Sequence, residues 1–378
     1  MKISQSLYYP SLPTKWKELY TGPASEDAEL VFAFGLRQIL EAAETYESLS
    51  KRYPNAFIAM ASTSGNLADQ VLMDDAVVCT AIVFDHASCK CASVDLNEGF
   101  DVAEVCKGLI QAVRTDSLKH IFVLSDGGTV NGTTLSESLN RLLPADVTLS
   151  GGLAGDGTDF SKTVVGLNQV PTAGSIVAIG FSGESLEVGF GSSGGWSVFG
   201  PERVVTRSSG NVLFELDGQP ALKLYKTYLG DQAEQLPASA LRFPLCVQPD
   251  DGQSSVVRTI LSIDEEHDSM TFAGDIPAGA SVHFMRASYE DLIDGADAAA
   301  VQARKHDEEL VMCVSCVGRR IVLGQRTEEE LECVRETFGS FPVIAGFYSY
   351  GELAPTGDEQ ACQLHNQTMT ITSFREIS

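Results

Sequence analysis

Basic residues are scarce in this chain. Lysine and arginine total 26 against 51 aspartates and glutamates, a formal net charge of −25 over 378 residues. A surface that acidic repels phosphate backbones and anionic headgroups, so neither nucleic acid nor membrane insertion fits. Long apolar runs are missing too: no stretch reaches the roughly 18–20 residues of a membrane span. The start, MKISQSLYYPSLPTKW, has no apolar core of a secretion signal. The 9 cysteines are odd in number, scattered, and often set inside apolar runs such as Val78-Cys79-Thr80-Ala81-Ile82. That is the pattern of reduced, buried thiols in a cytoplasmic protein, not of a disulfide framework.

Motifs of turnover are equally thin. There is no phosphate-binding G-x-x-x-x-G-K-[ST] loop and no G-x-S-x-G elbow. Gly151-Gly152-Leu153-Ala154-Gly155 lacks the spacing of a dinucleotide fingerprint, and no helix clearly follows it. Cys313-x-x-Cys316 falls on a strand, where residues three apart face opposite sides, and no second such pair exists. His365 has no His, Cys or acid at ligand spacing; His86, His120, His267, His283 and His306 have no ligand-like neighbours either. No nucleophile, base and acid form a set. The polar groups suit recognition better than chemistry, which points to a binding protein rather than an enzyme, without metal or cofactor.

What is present is a repeated layout. Leu30–Phe34 and Ala56–Ala61 read as buried strands around a helix over Leu36–Ser50. His120–Leu124 and Val147–Ser150 flank a helix over 133–143, and an amphipathic helix over 101–115 is capped by Asp101. Antiparallel strands fill 163–206, and a helix covers 220–229. After a Pro-rich polar segment, Pro237–Gly252, the theme returns: strands over 256–285, a helix opened by Ser288, Leu310–Ser315, an Arg-Arg turn, a strand over Ile321–Leu323, a helix over 327–337, and strands at 343–347 and 369–373. Residues 1–23 read as irregular, broken by Pro10, Pro13 and Pro23. The fold class is α/β with mixed sheets, in two domains that each carry strand–helix–strand units and added antiparallel strands. The two halves echo each other in layout rather than identity.

In an open α/β sheet, ligands sit beyond the carboxyl ends of the strands. Here those ends are Ser62–Asn66, Ser125–Gly128, Gly151–Gly157, Cys316–Arg320 and Phe347–Glu352, all small, polar or Gly-bearing. The candidate ligand-binding set is therefore Ser125, Asp126, Gly127, Gly152, Gly155, Asp156, Arg319, Arg320, Tyr348, Glu352 and Asn366. Arg319 and Arg320 either grip a carboxylate or phosphate, or pair with local acids such as Glu328 and Glu329. Glu352 either accepts an amine, orients Arg319, or caps a turn. Tyr348 and Tyr350 share a strand face, as pocket wall or as core edge.

Ser125-Asp126-Gly127, Gly151–Gly157, Gly194–Pro201 (GGWSVFGP) and Leu216–Ala221 (LDGQPA) resemble the N-terminal half of FIST proteins. Cys316–Arg320 (CVGRR), Gly346–Glu352 (GFYSYGE) and His365–Thr368 (HNQT) resemble the C-terminal half. The resemblance implies two domains, 26–220 and 221–378, and a cytoplasmic sensory module of bacterial signal transduction. It implies a small ligand, an amino acid or similar metabolite, and signalling through a histidine kinase, a cyclic-dinucleotide enzyme or a chemotaxis transducer. Some stand-alone members are haem-binding nitric oxide sensors; in that alternative His365 is the axial candidate. A second alternative is an enzyme acting on a small metabolite.

Overall fold

The computed structural model describes residues 1–96, 99–236, 238–250, 254–356 and 361–377. Part of the Pro237–Gly252 segment therefore lies outside the described residues. The fold is α/β, and its frame is three sheets built to one plan. Each holds one parallel strand pair joined through helix: Leu30–Gly35 with Phe57–Ser62, Leu118–Ser125 with Thr148–Leu153, and Leu310–Cys316 with Val343–Ser349. We number these sheets I, II and III.

Beside the first parallel strand lies an antiparallel one: Val77–Val83 in I, Ser175–Ser182 in II, Met369–Glu376 in III. Beside the second lies a strand handed over from a neighbouring sheet. After Phe57–Ser62 the chain crosses to sheet III as Asn66–Ala68. After Thr148–Leu153 it crosses to sheet I as Val165–Leu167. After Val343–Ser349 it crosses to sheet II as Gly351–Pro355. The exchange is cyclic, so each sheet is completed by the next unit in the cycle, and strands from both sides of position 220 share sheets II and III.

The strands of each parallel pair are apolar on both faces because both are covered. Their inner faces meet in a common core. Phe34 reaches Phe347 with ring centroids 4.7 Å apart, and Phe32 meets Phe122 at 5.4 Å, so aromatic rings bridge I to III and I to II. The outer faces are covered by helices. Asp101 accepts the Ala103 N–H, and Ser288 forms a full capping box with Asp291, as their positions before apolar periodic runs predict.

A fourth sheet, with eight strands between Ser197 and Arg286, is inserted between the third sheet's Leu186–Ser193 strand and the Tyr289–Ala303 helix. It has its own core of Met270, Phe272, Phe284 and Tyr225. This module joins the body through Gly194-Gly195 and Ala287.

Two expectations are corrected. Residues 1–23 are not irregular: Lys2–Tyr8 and Trp16–Tyr20 are strands of sheet I, the former paired with Val77–Val83. Its polar residues Ser4, Gln5 and Ser6 are buried and bonded by the sheet, so no alternation marks it. Ile321–Leu323 is not a strand: Val317–Leu323 is helical and ends at Gly324. The run must turn at once to reach the next parallel strand, which overrides the β propensity of Ile and Val.

Burial also writes a pH dependence into sheet II. His120 ties the parallel strands together through Thr148 Oγ1 (2.7 Å) and Ser150 Oγ (2.9 Å), and burial pulls its pKa down to about 3. Because the folded state holds this imidazole neutral, its contribution is complete above the unfolded pKa near 6.5. It is lost as pH falls from 6.5 toward 3, by up to about 1.4 kcal/mol per pH unit. The denaturation midpoint of His120→Gln should fall less steeply than wild type between pH 6.5 and 4.5. Parallel slopes would show that His120 does not titrate in this way.

Candidate functional site

The carboxyl ends of the parallel strands do converge, but on each other. Ser64 N–H donates to Tyr348 O and Tyr348 N–H to Gly65 O, both at 2.8 Å; Gly155 N–H donates to Ser62 O at 2.8 Å and Ala154 N–H to Ser125 O at 2.7 Å. Backbone from all three sheets thus fills the place where a ligand was expected. Gly155 is glycine because a Cβ there would lie 2.7 Å from Ser64 N. Gly127 and Gly152 pack as closely, the first on the Ala154 backbone, the second on Val314 and Phe347.

Asp126 is saturated: its carboxylate accepts from Gly128 N (2.6 Å), Thr129 N (3.0 Å), Thr163 Oγ1 (2.7 Å) and Gly174 N. Ser125 is buried and bonds to the Asp126 carbonyl. Asp156 is held by Arg37 Nε (2.9 Å), Ser161 Oγ (2.8 Å) and Lys162 N (3.2 Å). Burial raises its pKa, and these donors more than offset that, leaving it below the usual value.

The Arg pair splits. Arg319 is fully buried and gives Glu330 two hydrogen bonds, from Nε (3.0 Å) and Nη2 (2.8 Å), with further bonds to Gly194 O (2.7 Å) and Leu292 O (2.6 Å). Tyr348 donates its hydroxyl to the same Glu330, and burial and that carboxylate push its pKa well up. Arg320 points the other way, to Asp74 Oδ2 (2.5 Å) and the Ser64 carbonyl. The acid partners are therefore Glu330 and Asp74, whereas Glu329 pairs with Arg326. Tyr348 and Tyr350 do not share a wall: Tyr350 stacks on Phe160 with centroids 4.8 Å apart and belongs to sheet II's core.

Glu352 is buried, and no cation among the described residues bonds to it. Ser349 Oγ (2.6 Å) and Thr368 Oγ1 (2.9 Å) donate to it, and burial raises its pKa to about 8. Asn366 donates to the His365 carbonyl at 2.9 Å, and its Oδ1 is buried without a partner. His365 is 4% exposed; its Nε2 lies 3.0 Å from Ala354 O and 3.3 Å from Thr356 Oγ1, and burial lowers its pKa to about 4. An imidazole packed this tightly, with Nε2 bonded to a carbonyl, does not fit an axial haem ligand.

None of these residues lines the large cavity. That cavity, about 840 Å³, lies where the inserted module meets sheet II. Helix Gly132–Asn140 supplies Thr133, Ser136 and Asn140; the Cys362–His365 strand supplies Gln363 and Leu364; the module supplies Ser208, Arg258 and the 275–278 turn. The residue that sequence reasoning missed is Arg258. It sits on the inward phase of Val256–Arg258, flanked by buried Val256 and Ile260, and is 5% exposed. An arginine in the apolar phase of a strand, in a chain poor in basic residues, was the available signal. Its Nη1 donates to Leu364 O (2.8 Å) and its Nε to Asp275 O (3.3 Å), tying module to body. Burial draws its pKa down to about 10, still protonated at neutral pH.

Gly274 makes this placement possible. A Cβ there would lie 2.7 Å from Arg258 Nε and 3.0 Å from Cζ, while the guanidinium is pinned by two carbonyls. Gly274→Ala should displace Arg258 and destabilise the protein by about 1–3 kcal/mol, measured as a shift of the denaturant midpoint; an unshifted midpoint would mean that the guanidinium is free to move.

Other chemistry is sparse. Burial pushes the thiols of Cys79, Cys106, Cys313, Cys316, Cys333 and Cys362 up, away from the reactive thiolate. Among the described residues no three His, Cys, Asp or Glu side chains gather as a metal site, and no helix is long and apolar enough to cross a membrane.

Comparison with known proteins adds the following. A family model described as FIST N domain matches residues 29–219, and one described as FIST C domain matches residues 221–355. Among solved structures, 21 chains match; one is a crystal structure of cyanuric acid hydrolase from A. caulinodans. That alignment covers 94% of this chain and 92% of that chain, at 7% identity and a TM-score of 0.36, too low to support an argument. No curated protein matches.

Proposed function

The chain belongs to the FIST family, and from that premise we propose that it is a non-catalytic sensory protein of signal transduction that holds a small metabolite in the cleft between the inserted module and the body. The observation that supports this most is the cleft itself. Its volume of about 840 Å³ falls within the range of small-molecule sites, and its walls come from both parts of the molecule. A ligand there would touch both walls, and so bias how the module sits on the body. The ligand class is an amino acid or similar small metabolite. The signal passes to a partner such as a histidine kinase, a cyclic-dinucleotide enzyme or a chemotaxis transducer, and the protein works in the cytoplasm.

Thermal-shift screening of amino acids and related metabolites tests the reading. A ligand present at about 100 times its Kd adds about 2.7 kcal/mol of stability. Ala278, an exposed residue of the cleft lining, offers a control: Ala278→Trp sets an indole ring at the cleft and obstructs part of it without altering a buried position. The expected result is a metabolite that stabilises wild type and not Ala278→Trp, with altered hydrogen exchange at Gly194-Gly195 and Ala287. A metabolite that binds both proteins equally would move the site out of the cleft.

A further inference from the structure

Among the described residues four charged side chains line the cleft, and three of them are accounted for. Arg141 Nη2 and Glu137 Oε2 pair with each other at 3.2 Å. Asp275 accepts from Asn131 Nδ2 at 3.1 Å. Among the described residues no carboxylate lies within ion-pair distance of Arg258; its guanidinium donates to carbonyl oxygens of Leu364, Asp275 and Val257, and the Asp275 carboxylate acts on it from farther off. Among the described residues its Nη2 makes no hydrogen bond, and Arg258 lines the cavity. A buried cation that no carboxylate bonds is costly even with the charge of Asp275 nearby, and a site that retains one is suited to a bond from outside.

We propose that the cleft binds the carboxylate of a small polar metabolite, with Arg258 Nη2 as its anchor. The inference rests on the cleft being the ligand site. The charges favour one negative charge on the ligand. Arg141 and Glu137 cancel, and Arg258 and Asp275 sum to zero, so a singly charged carboxylate leaves one net negative charge beside Asp275 where a doubly charged phosphate leaves two. The rest of the lining matches a polar ligand body: hydroxyls of Thr133, Ser136 and Ser208 and amides of Asn140 and Gln363. Guanidinium–carboxylate bonds are charge-assisted and directional, so the anchor also orients the ligand.

The test uses matched probes at constant ionic strength: lactate against lactamide, then gluconate, inorganic phosphate and glucose, by calorimetry and thermal shift. Lactate or gluconate should bind wild type, lactamide should bind at least tenfold more weakly, and Arg258→Met should lose at least tenfold in carboxylate affinity while Arg258→Lys retains part of it. The folded state of each variant is checked by its circular dichroism and melting transition. Should Arg258→Met fail to fold, Ala278→Trp takes its place as the variant expected to lose carboxylate binding. Tighter binding of phosphate than of either carboxylate would overturn the assignment. So would glucose or lactamide binding that Ala278→Trp removes and Arg258→Met does not, which would leave the cleft as the sensor site. Carboxylate binding undiminished in both variants would overturn the cleft as well.

Discussion

Glu330→Ala should cost about 3–5 kcal/mol of stability, the range found when one partner of a buried ion pair is removed. Arg319 and Glu330 are both fully buried, and the carboxylate also accepts the Tyr348 hydroxyl and the Ser315 hydroxyl at 3.1 Å. Truncation therefore strands a guanidinium and two hydroxyls at once, none with access to water. The double variant Arg319→Met with Glu330→Leu removes charge and counter-charge together, and should lose much less than the sum of the single changes. Denaturant midpoints of the two single variants and the double provide the cycle. A single-variant loss under about 1 kcal/mol would mean that the pair is hydrated or replaceable. The same variants separate stability from recognition. Arg319 lies outside the cleft, so lactate affinity of whatever folds should match wild type. An Arg319-dependent affinity would return the ligand to the strand ends.

That contrast shows what the sequence makes legible. Composition, the parallel strand pairs and the caps at Asp101 and Ser288 are local properties, and they appear where their patterns put them. The cyclic exchange of strands is not local. Asn66–Ala68 pairs with Val343–Ser349, and nothing in either segment names its partner across so many residues. The small and Gly-bearing strand ends are read as places where backbone approaches a ligand. What approaches them is other backbone rather than a ligand, and the same small and Gly-rich residues serve both ends. Arg319 shows the same ambiguity at one side chain. Its partner Glu330 stands on the next helix, one residue beyond the acids nearest in expectation. Arg258 was passed over because its meaning depends on a cavity formed by a module and a helix far apart in the chain.

Glu352 makes the opposite demand on pH from His120. Its carboxyl is buried on a strand of sheet II, bonded by hydroxyls of Ser349 and Thr368 and by the Thr368 N–H at 3.3 Å, with no ion pair among the described residues. Burial raises its pKa to about 8 from an ordinary 4.5. The folded state thus favours the neutral acid. That contribution is complete below about 4.5 and is lost as pH rises toward 8, which corresponds to roughly 4–5 kcal/mol across the interval at about 1.4 kcal/mol per pH unit. Glu352→Gln keeps the shape and an acceptor but cannot ionise, so it should be more stable than wild type at pH 8 and close to it at pH 5. The unfolding midpoint of both proteins from pH 5 to 8.5 is the measurement; a constant difference would mean that Glu352 is ionised throughout and held by donors. With His120 and His365 losing stability on the acid side, the chain is squeezed from both directions. Removing Glu352's charge should move the pH of maximum stability upward, whereas His120→Gln should move it down. Opposite displacements from two buried groups in one sheet would be hard to obtain from surface charge, which in this acidic chain acts in one direction only.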